Sequence, residues 1–323
     1  MTDPALVVIP SVPGQLAEDG HWFPPVTAFH LSNVQLDVNS GLVFSRDWVV
    51  NGSGTGQRWA MDSAFITGAT VRVRESAIRP EARTVTPLAN VIEHYHFIME
   101  TLPQVLRIQQ VAPDAIHVTA DRPPELVAGI LNDLGVRWEV LDRDEVLTCS
   151  SVWMCPGHPR ERTHPADMQL LLDTFAPSRD RTTAGHGDRV YISRARSGRS
   201  LSGERNLEEW LVSRGFAILY LEDLAFTEQV SRLNHASLVV APHGGGLANT
   251  VFMPPGGTVI EIATGEWWSN AFRRIAHIRG HTYHLLMIES TPGAPWGSAT
   301  ETIARLGPIL DALDSTPDMG LTE

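Results

Sequence analysis

Along the first 80 residues the apolar positions come in short runs, separated by Gly, Pro, Asn and Asp. The runs are Ala5–Ile9, Asn33–Leu36, Leu42–Phe44, Trp48–Val50 and Thr70–Val73. Short apolar or β-branched runs between turn residues predict strands, so the chain opens with a β-rich segment. From Ala89 the period changes. Apolar residues at helical spacing predict a helix over Phe97–Val111, a strand over Ala115–Val118 and a helix over Pro123–Leu134, with prolines at its start. Strands at Trp138–Leu141 and Val152–Cys155 and a helix at Asp167–Phe175 follow. Strands alternating with helices predict a mostly parallel sheet.

Pro177–Asp188 has Pro, Ser, Thr, Gly and charges but almost no apolar positions, and reads as a linker. Beyond it the alternation is cleaner. Strands are predicted at Arg189–Ser193, Phe216–Leu221, Leu238–Ala241, Thr258–Ile262 and Tyr283–Ile288. Helices are predicted at Asn206–Arg214 (stopped by Gly215), Thr227–His235, Ser269–Ile278 and Thr300–Leu313, with a short one from Leu247. The expected fold is α/β: two Rossmann-like domains, 1–180 and 181–323, with a β-rich N-terminal segment. The last helix is free to pack back on the first domain.

The 323 residues are 43% apolar and 19% charged, ordinary for a globular protein. The net charge of −12 argues against general nucleic-acid binding, which needs a positive surface. The chain contains no lysine, so its 25 basic residues are all arginine. That excludes a Walker A loop, a pyridoxal-phosphate Schiff base and a kinase phosphate-pairing lysine. Cys149 and Cys155 are too few for a disulfide framework or a four-cysteine zinc site. The first 14 residues have no basic n-region and no apolar run reaches about 20 residues, so a cytoplasmic protein without a membrane segment is expected.

The most specific stretch runs from Ser237 to Asn249. An apolar strand enters His243-Gly244-Gly245-Gly246, and a helix starts behind it. Glycines let backbone approach a ligand, and a helix start offers free N–H groups, so a diphosphate or carboxylate can be held there without lysine. A tight turn with no ligand is the alternative. The earlier Gly52-Ser53-Gly54-Thr55-Gly56 has no clear helix behind it and reads as a plain turn.

Several motifs resemble glycosyltransferase family 61, in a bacterial form. They are His243 to Asn249, Phe252-Met253-Pro254-Pro255-Gly256, Val259-Ile260-Glu261-Ile262 and Tyr191-Ile192-Ser193-Arg194. The family usually has Ala where Gly245 stands. A weaker likeness runs from His96 to Pro103, where the family shows an aromatic residue, His, an acid and Pro. Here these are Tyr95, His96, Glu100 and Pro103, with Glu93 near the place where the family often has Asn. The resemblance implies a GT-B fold and an inverting transferase that needs no essential metal. The donor would be a nucleoside-diphosphate sugar, UDP-linked, and the acceptor a hydroxyl on a glycan or small molecule. Among donor contacts it implies Arg194 on the diphosphate and Glu261 on the ribose, with His243, Gly244, Gly245, Gly246 and Asn249 around the loop. A carboxylate inside an apolar strand can equally be a structural pairing.

Two groups compete for the base of such a transfer, His96 oriented by Glu100, or Glu100 itself. His94, His96 and Glu100 also show a cupin-like metal spacing, which requires a strand. On a helix only His96 and Glu100 share a face. Arg196 and Arg199 are expected to be solvated, and Trp267 and Trp268 either stack on a ligand or belong to the core. His158, His164, His281 and His284 form no recognisable ligand set. Two other readings stay open: a nucleotide-sugar epimerase of the same architecture, and a degenerate transferase kept as a binding subunit.

Overall fold

Two sheets organise the protein, each in its own compact unit, Met1–Pro177 and Ser178–Glu323. The structure, a computed structural model, describes residues 15–16, 22–23, 28–45, 49–50, 63–75, 78–155, 163–175, 188–265 and 268–315. The strand expected at Ala5–Ile9, the Gly52–Gly56 turn, Trp48, His158, Trp267 and nearly all of the linker at 177–188 lie outside these.

In the first unit β1 (Gln15–Leu16) and β2 (Trp22–Phe23) form a small antiparallel pair. Next come β3 (Phe29–Leu31), β4 (Val34–Asp37), β5 (Val43–Phe44), β6 (Val49–Val50), α1 (Ser63–Glu75) and β7 (Ile78–Pro87). After β7 the chain forms α2 (His94–His96), a π-helical turn (Phe97–Thr101) and α3 (Leu102–Val111). Then follow β8 (Ile116–Thr119), α4 (Glu125–Asp133), β9 (Trp138–Val140), β10 (Val146–Met154) and α5 (Pro165–Phe175).

The main sheet runs β6-β5-β4-β10-β7-β8-β9, with β3 also on β10. From β10 to β9 the strands are parallel, whereas β3 to β6 add antiparallel. The β-rich start and the parallel half therefore share one mixed sheet, where sequence periodicity suggested a mostly parallel one. Its core gathers Leu36, Val43, Val85, Val118, Leu147, Val152 and Met154.

One expectation is corrected here, and one strand is added. Thr70–Val73 is helical, inside α1, because Ala69 and Val73 are one turn apart and pack together on Leu42 and Phe44. Arg72 of the same face reaches the buried Asp37 at 2.8 Å. Tertiary packing overrides the local β-propensity of Thr-Val-Arg-Val. The strand β7, hidden in sequence by its charges and two prolines, lies inside the sheet between β10 and β8. Its register against β10 shifts between Cys149 and Ser151, and Glu81 stitches that irregularity by accepting the Arg83 backbone N–H at 2.9 Å and its guanidinium at 2.7–2.8 Å.

The second unit contains β11 (Arg189–Ile192), α6 (Glu204–Ser213), β12 (Ala217–Leu219), α7 (Phe226–Asn234), β13 (Leu238–Pro242), β14 (Thr258–Thr264), α8 (Ala271–Arg279), β15 (Thr282–Ile288) and α9 (Ala299–Ser315). All five strands are parallel, in the order β12-β11-β13-β14-β15. Numbered by appearance that is 2-1-3-4-5, an order of doubly wound sheets. Alternate residues face opposite sides. Val240, Ile260, Ile262 and Leu286 pack with Leu207 and Leu211 of α6 and Leu306 and Leu310 of α9. Val239, Ala241, Val259 and Ala263, on the other side, are also buried, so both faces are covered. The buried side of α9 is committed to this cluster in its own unit. Gly215, at φ 82°, ends α6 as expected, with Phe216 N–H returning to Leu211 O at 3.1 Å.

Candidate functional site

In a parallel α/β sheet ligands gather beyond the carboxyl ends of the strands, at the point where the strand order reverses. In the second unit that point lies between β11 and β13. Arg194 lies two residues past the end of β11, and His243-Gly244-Gly245-Gly246 follows β13 directly. The Arg194 Nη1 donates to the His243 carbonyl at 2.5 Å, so the two loops meet there.

Arg194 is placed by a buried acid that sequence reading did not single out. Tyr191 of β11 and Ser193, just past its end, both hydrogen-bond to Glu204 of α6, at 2.9 and 3.3 Å. Glu204 also accepts the Arg194 backbone N–H at 2.6 Å and the Leu201 N–H at 2.9 Å. Glu208, one turn later, takes Ser193 at 2.5 Å and Tyr220 at 2.9 Å. With its backbone tied on that side, Arg194 extends toward the His243 carbonyl. Acids four apart on the helix after a Tyr-x-Ser strand end were the signal available in sequence.

The Arg194 guanidinium is half-buried, has Ser197 Oγ at 3.3 Å, and among the described residues makes no ion pair. Arg107, Arg189 and Arg214 by contrast each hold an acid. Burial, then the neighbouring Arg199, lower its pKa from 12.5. A half-buried guanidinium without a carboxylate is matched to an incoming anion.

Gly244 lies under Arg194: a Cβ there would collide with the guanidinium. Gly246 has a different reason to be glycine, since a Cβ would come within 2.9 Å of Leu221 Cδ1 and 3.2 Å of Ile192 Cγ2. Gly245 opens a 3₁₀ helix, Gly245–Phe252, whose first turn leaves N–H groups unpaired by its own backbone.

His243 Nδ1 is 2.5 Å from Glu261 Oε1, and the Tyr283 hydroxyl donates to Glu261 Oε2 at 2.6 Å. Glu261 is fully buried, while the His243 side chain is 20% exposed. Both Glu261 oxygens are thus engaged and closed to solvent. Of the two roles considered for Glu261, the structural pairing is the one these contacts display. Burial and Glu261 push the Tyr283 hydroxyl's pKa up, so it stays a donor. Asn249 is also engaged inside the protein. It is fully buried and donates to Gln229 Oε1 at 2.7 Å, and Gln229 in turn donates to Leu221 O at 2.8 Å. The amide ties the 3₁₀ helix to α7.

In the first unit the parallel strands run β9-β8-β7-β10, so their order reverses between β7 and β10. The segment beyond β7 carries the other candidates. Residues 94–100 are helical, which removes the strand that the cupin-like alternative requires. Among the described residues no group of three His, Cys, Asp or Glu is disposed to hold a metal ion. His96 Nδ1 is 2.8 Å from Glu100 Oε2, both side chains being almost wholly buried. Glu100 sits in the π-turn, in which the Leu102 N–H reaches back to Phe97 O. Pro103 explains the turn: its ring crowds the carbonyl four residues back and offers no N–H. The widened turn absorbs that misfit, and such turns are frequent at functional sites. Thr101 Oγ1 donates to Ala89 O at 2.9 Å, anchoring the loop from β7, in which Asn90 has φ 53°. The Tyr95 hydroxyl reaches Thr163 Oγ1, beyond β10, at 3.4 Å.

Arg196 and Arg199 are exposed, as expected, and each has a surface partner. Arg196 pairs with Asp223 and stands 3.9 Å over the Tyr220 ring, and Arg199 lies over Trp296. Trp268 is 46% exposed and so outside the core. His164 accepts the Ala166 N–H at 3.0 Å, and His281 faces Thr250 O at 3.3 Å.

An arginine beside a glycine turn at one sheet's switch point, and a buried histidine–carboxylate pair beyond a strand of the other sheet, are the candidate site features of this α/β protein. The chain belongs to glycosyltransferase family 61: the family model described as Glycosyltransferase 61 matches residues 94–260, just over half of the chain. It is also similar to the beta-1,2-xylosyltransferase of Arabidopsis thaliana, 29% identical over 93 residues. That stretch is 29% of this chain and 17% of the relative, so the chain spans under a fifth of the relative's length.

Proposed function

We propose that the protein transfers a sugar from a nucleoside-diphosphate donor to a hydroxyl acceptor, with inversion and without an essential metal. The observation that carries this is Arg194, a guanidinium free of acids among the described residues, bonded to the His243 carbonyl beside a glycine turn. Arg194, the His243 ring and the N–H groups at Gly244–Gly246 supply the positive potential that a leaving diphosphate needs, in place of a divalent cation. Donor binding falls to the second unit. Strand orders of the doubly wound type in both units support a GT-B architecture of two Rossmann-like domains.

In the first unit the His96–Glu100 pair is the proton-accepting centre for the acceptor hydroxyl. The xylosyltransferase relative makes UDP-xylose the first donor to try, followed by UDP-arabinose, UDP-N-acetylglucosamine and UDP-glucose. The test is a thermal shift with UDP in the presence of EDTA. A ligand at a hundredfold excess over its Kd adds about 2.7 kcal/mol, a shift of several degrees. Arg194→Ala and His243→Ala are expected to remove most of it. No shift with UDP or any of the four sugars, together with no turnover, rejects the donor assignment. Conversion of the donor's sugar without an acceptor identifies an epimerase instead.

A further inference from the structure

Arg194 has a neighbour whose charge is the wrong sign for a phosphate. Strand β12 lies beside β11, and the Ser193 N–H donates to Leu219 O at 2.9 Å, so the turn after β12 comes up next to Arg194. That turn is a 3₁₀ segment, Leu221–Asp223, and it carries Glu222. Glu222 is exposed and, among the described residues, makes no hydrogen bond or ion pair. It stands farther from Arg194 than an ion pair, yet its charge is felt there. Burial and Arg199 lower the Arg194 pKa, and Glu204 and Glu222 act against them.

The backbone under Glu222 is held beside the glycine turn. Gly246 passes so close that a Cβ on it would come within 2.9 Å of Leu221 Cδ1. Gln229 donates to Leu221 O at 2.8 Å and to Leu224 O at 3.1 Å, and Asn249 fixes Gln229 from the 3₁₀ helix behind the glycines. On the outer side Tyr220 donates to Glu208, and Arg196 pairs with Asp223 while lying over the Tyr220 ring. The acids around Glu222 are therefore committed: Glu204 and Glu208 to donors of the β11 and β12 ends, Asp223 to Arg196, and Glu261 to His243 and Tyr283. Glu222 keeps two open acceptor oxygens, close to an arginine that has no acid of its own.

An acid in this place weakens the hold on a bare phosphate. It suits a ligand that brings hydroxyl donors along with its diphosphate. A ribonucleotide does so, because two vicinal hydroxyls stand on the sugar ring that carries the diphosphate. A carboxylate can accept from both, one oxygen each, and such charge-assisted bonds are strong ones. We propose that Glu222 takes the two ribose hydroxyls of the donor, so that the nucleoside lies over the turn after β12 and the site selects ribonucleotides against their 2′-deoxy counterparts. This rests on the nucleoside-diphosphate reading above, and it gives the ribose to a residue that the motifs did not single out.

The test is calorimetric titration of the full chain, wild type, Glu222→Gln and Glu222→Ala, with UDP, 2′-deoxy-UDP and inorganic pyrophosphate in the presence of EDTA. Losing one hydrogen bond to a charged group costs about tenfold or more in affinity. Wild type is therefore expected to bind UDP at least about tenfold more tightly than 2′-deoxy-UDP. In Glu222→Ala the two affinities should converge, through a loss on the UDP side. Pyrophosphate should bind that variant as well as wild type or better, because a repelling charge has gone. Glu222→Gln keeps one acceptor oxygen and should fall between. Replacing an exposed side chain of this kind leaves the thermal midpoint within about two degrees of wild type. Equal affinity of wild type for UDP and 2′-deoxy-UDP, or a preference that survives in Glu222→Ala, overturns the ribose contact and leaves the donor reading standing. Equal losses for all three ligands mark a structural role and overturn it as well. A wild type that binds no UDP removes both.

Discussion

Replacing Glu261 by Gln separates two ways in which a buried acid can serve a nucleotide site. The substitution keeps the shape and one oxygen, and removes the charge. If Glu261 positions His243, the ring loses the carboxylate that holds Nδ1 at 2.5 Å and is less well oriented toward the turn. Hydrogen bonds to charged groups are worth about 1.5–3 kcal/mol. The low end of that range is about tenfold in affinity. The effect must then appear on any ligand that carries the diphosphate, with or without a nucleoside.

The assay is calorimetric titration of wild type and Glu261→Gln with UDP and with inorganic pyrophosphate. The expected result is a loss of about tenfold for both ligands. Pyrophosphate has no ribose, so a loss confined to UDP refutes the positioning role and restores a sugar contact. No change for either ligand removes His243 from the anion site. Tyr283 gives an internal control for folding, because its hydroxyl can still donate to the remaining amide oxygen. A thermal midpoint within a few degrees of wild type is therefore expected.

The two glycines flanking Gly245 are expected to respond differently to alanine. At Gly244 the new methyl displaces the Arg194 guanidinium, so UDP affinity falls about as far as in Arg194→Ala, at little cost in thermal midpoint. At Gly246 it meets the packed Leu221 and Ile192, so denaturant unfolding should show a loss of about 1–3 kcal/mol. His117 sets an acid limit on stability. Burial holds its ring neutral and pushes its pKa down from 6.5 to about 4. As pH falls through 6.5 the unfolded ring takes a proton that the folded ring refuses until about 4, so stability present above 6.5 is lost across that window. His117→Leu is expected to lose less stability than wild type between pH 7 and pH 4, by about 3 kcal/mol, in urea titrations at each pH.

Much of the second unit was legible from pattern alone. Its strands are buried on both faces and read as apolar runs, and its helices carry one apolar face. Both signals are local, and the five strands and the glycine turn fall where the periodicity put them. The first unit was less legible because one of its inner strands is unusual. Strand β7 is written Ile-Arg-Pro-Glu-Ala-Arg-Thr-Val-Thr-Pro, and its charges are reconciled with burial only by the pairing of Glu81 with Arg83 and Arg79. That pairing pulls the Glu81 pKa down to about 2, chiefly through the Arg83 hydrogen bond. The helix α1 failed for the opposite reason, a β-branched run recruited by packing on Leu42 and Phe44. The candidate site residues were named from motifs, but two of the groups that hold them, Glu204 and Tyr283, were not. Glu204 and Tyr283 act through a fold that brings distant positions together, and sequence spacing does not encode that.

The absence of lysine sharpens how this chain can hold an anion. An ammonium is a compact charge on a flexible stem, whereas a guanidinium is a planar fork that works when its orientation is fixed. Arg194 is oriented from two directions, by Glu204 on its backbone and by the His243 carbonyl on its Nη1. Glu204 in turn is held by Tyr191 and Ser193, so three residues of the Tyr-Ile-Ser-Arg motif converge on one carboxylate. The motif is therefore a device for aiming its last residue, and the glycine at 244 is the clearance that the aimed side chain requires. His243 follows the same logic, with Glu261 and Tyr283 as its aiming groups. In each case a buried carboxylate is neutralised by donors inside the protein and leaves one cationic or donor face toward the turn. A site assembled this way loses function through its hidden acids as readily as through the groups that touch the ligand.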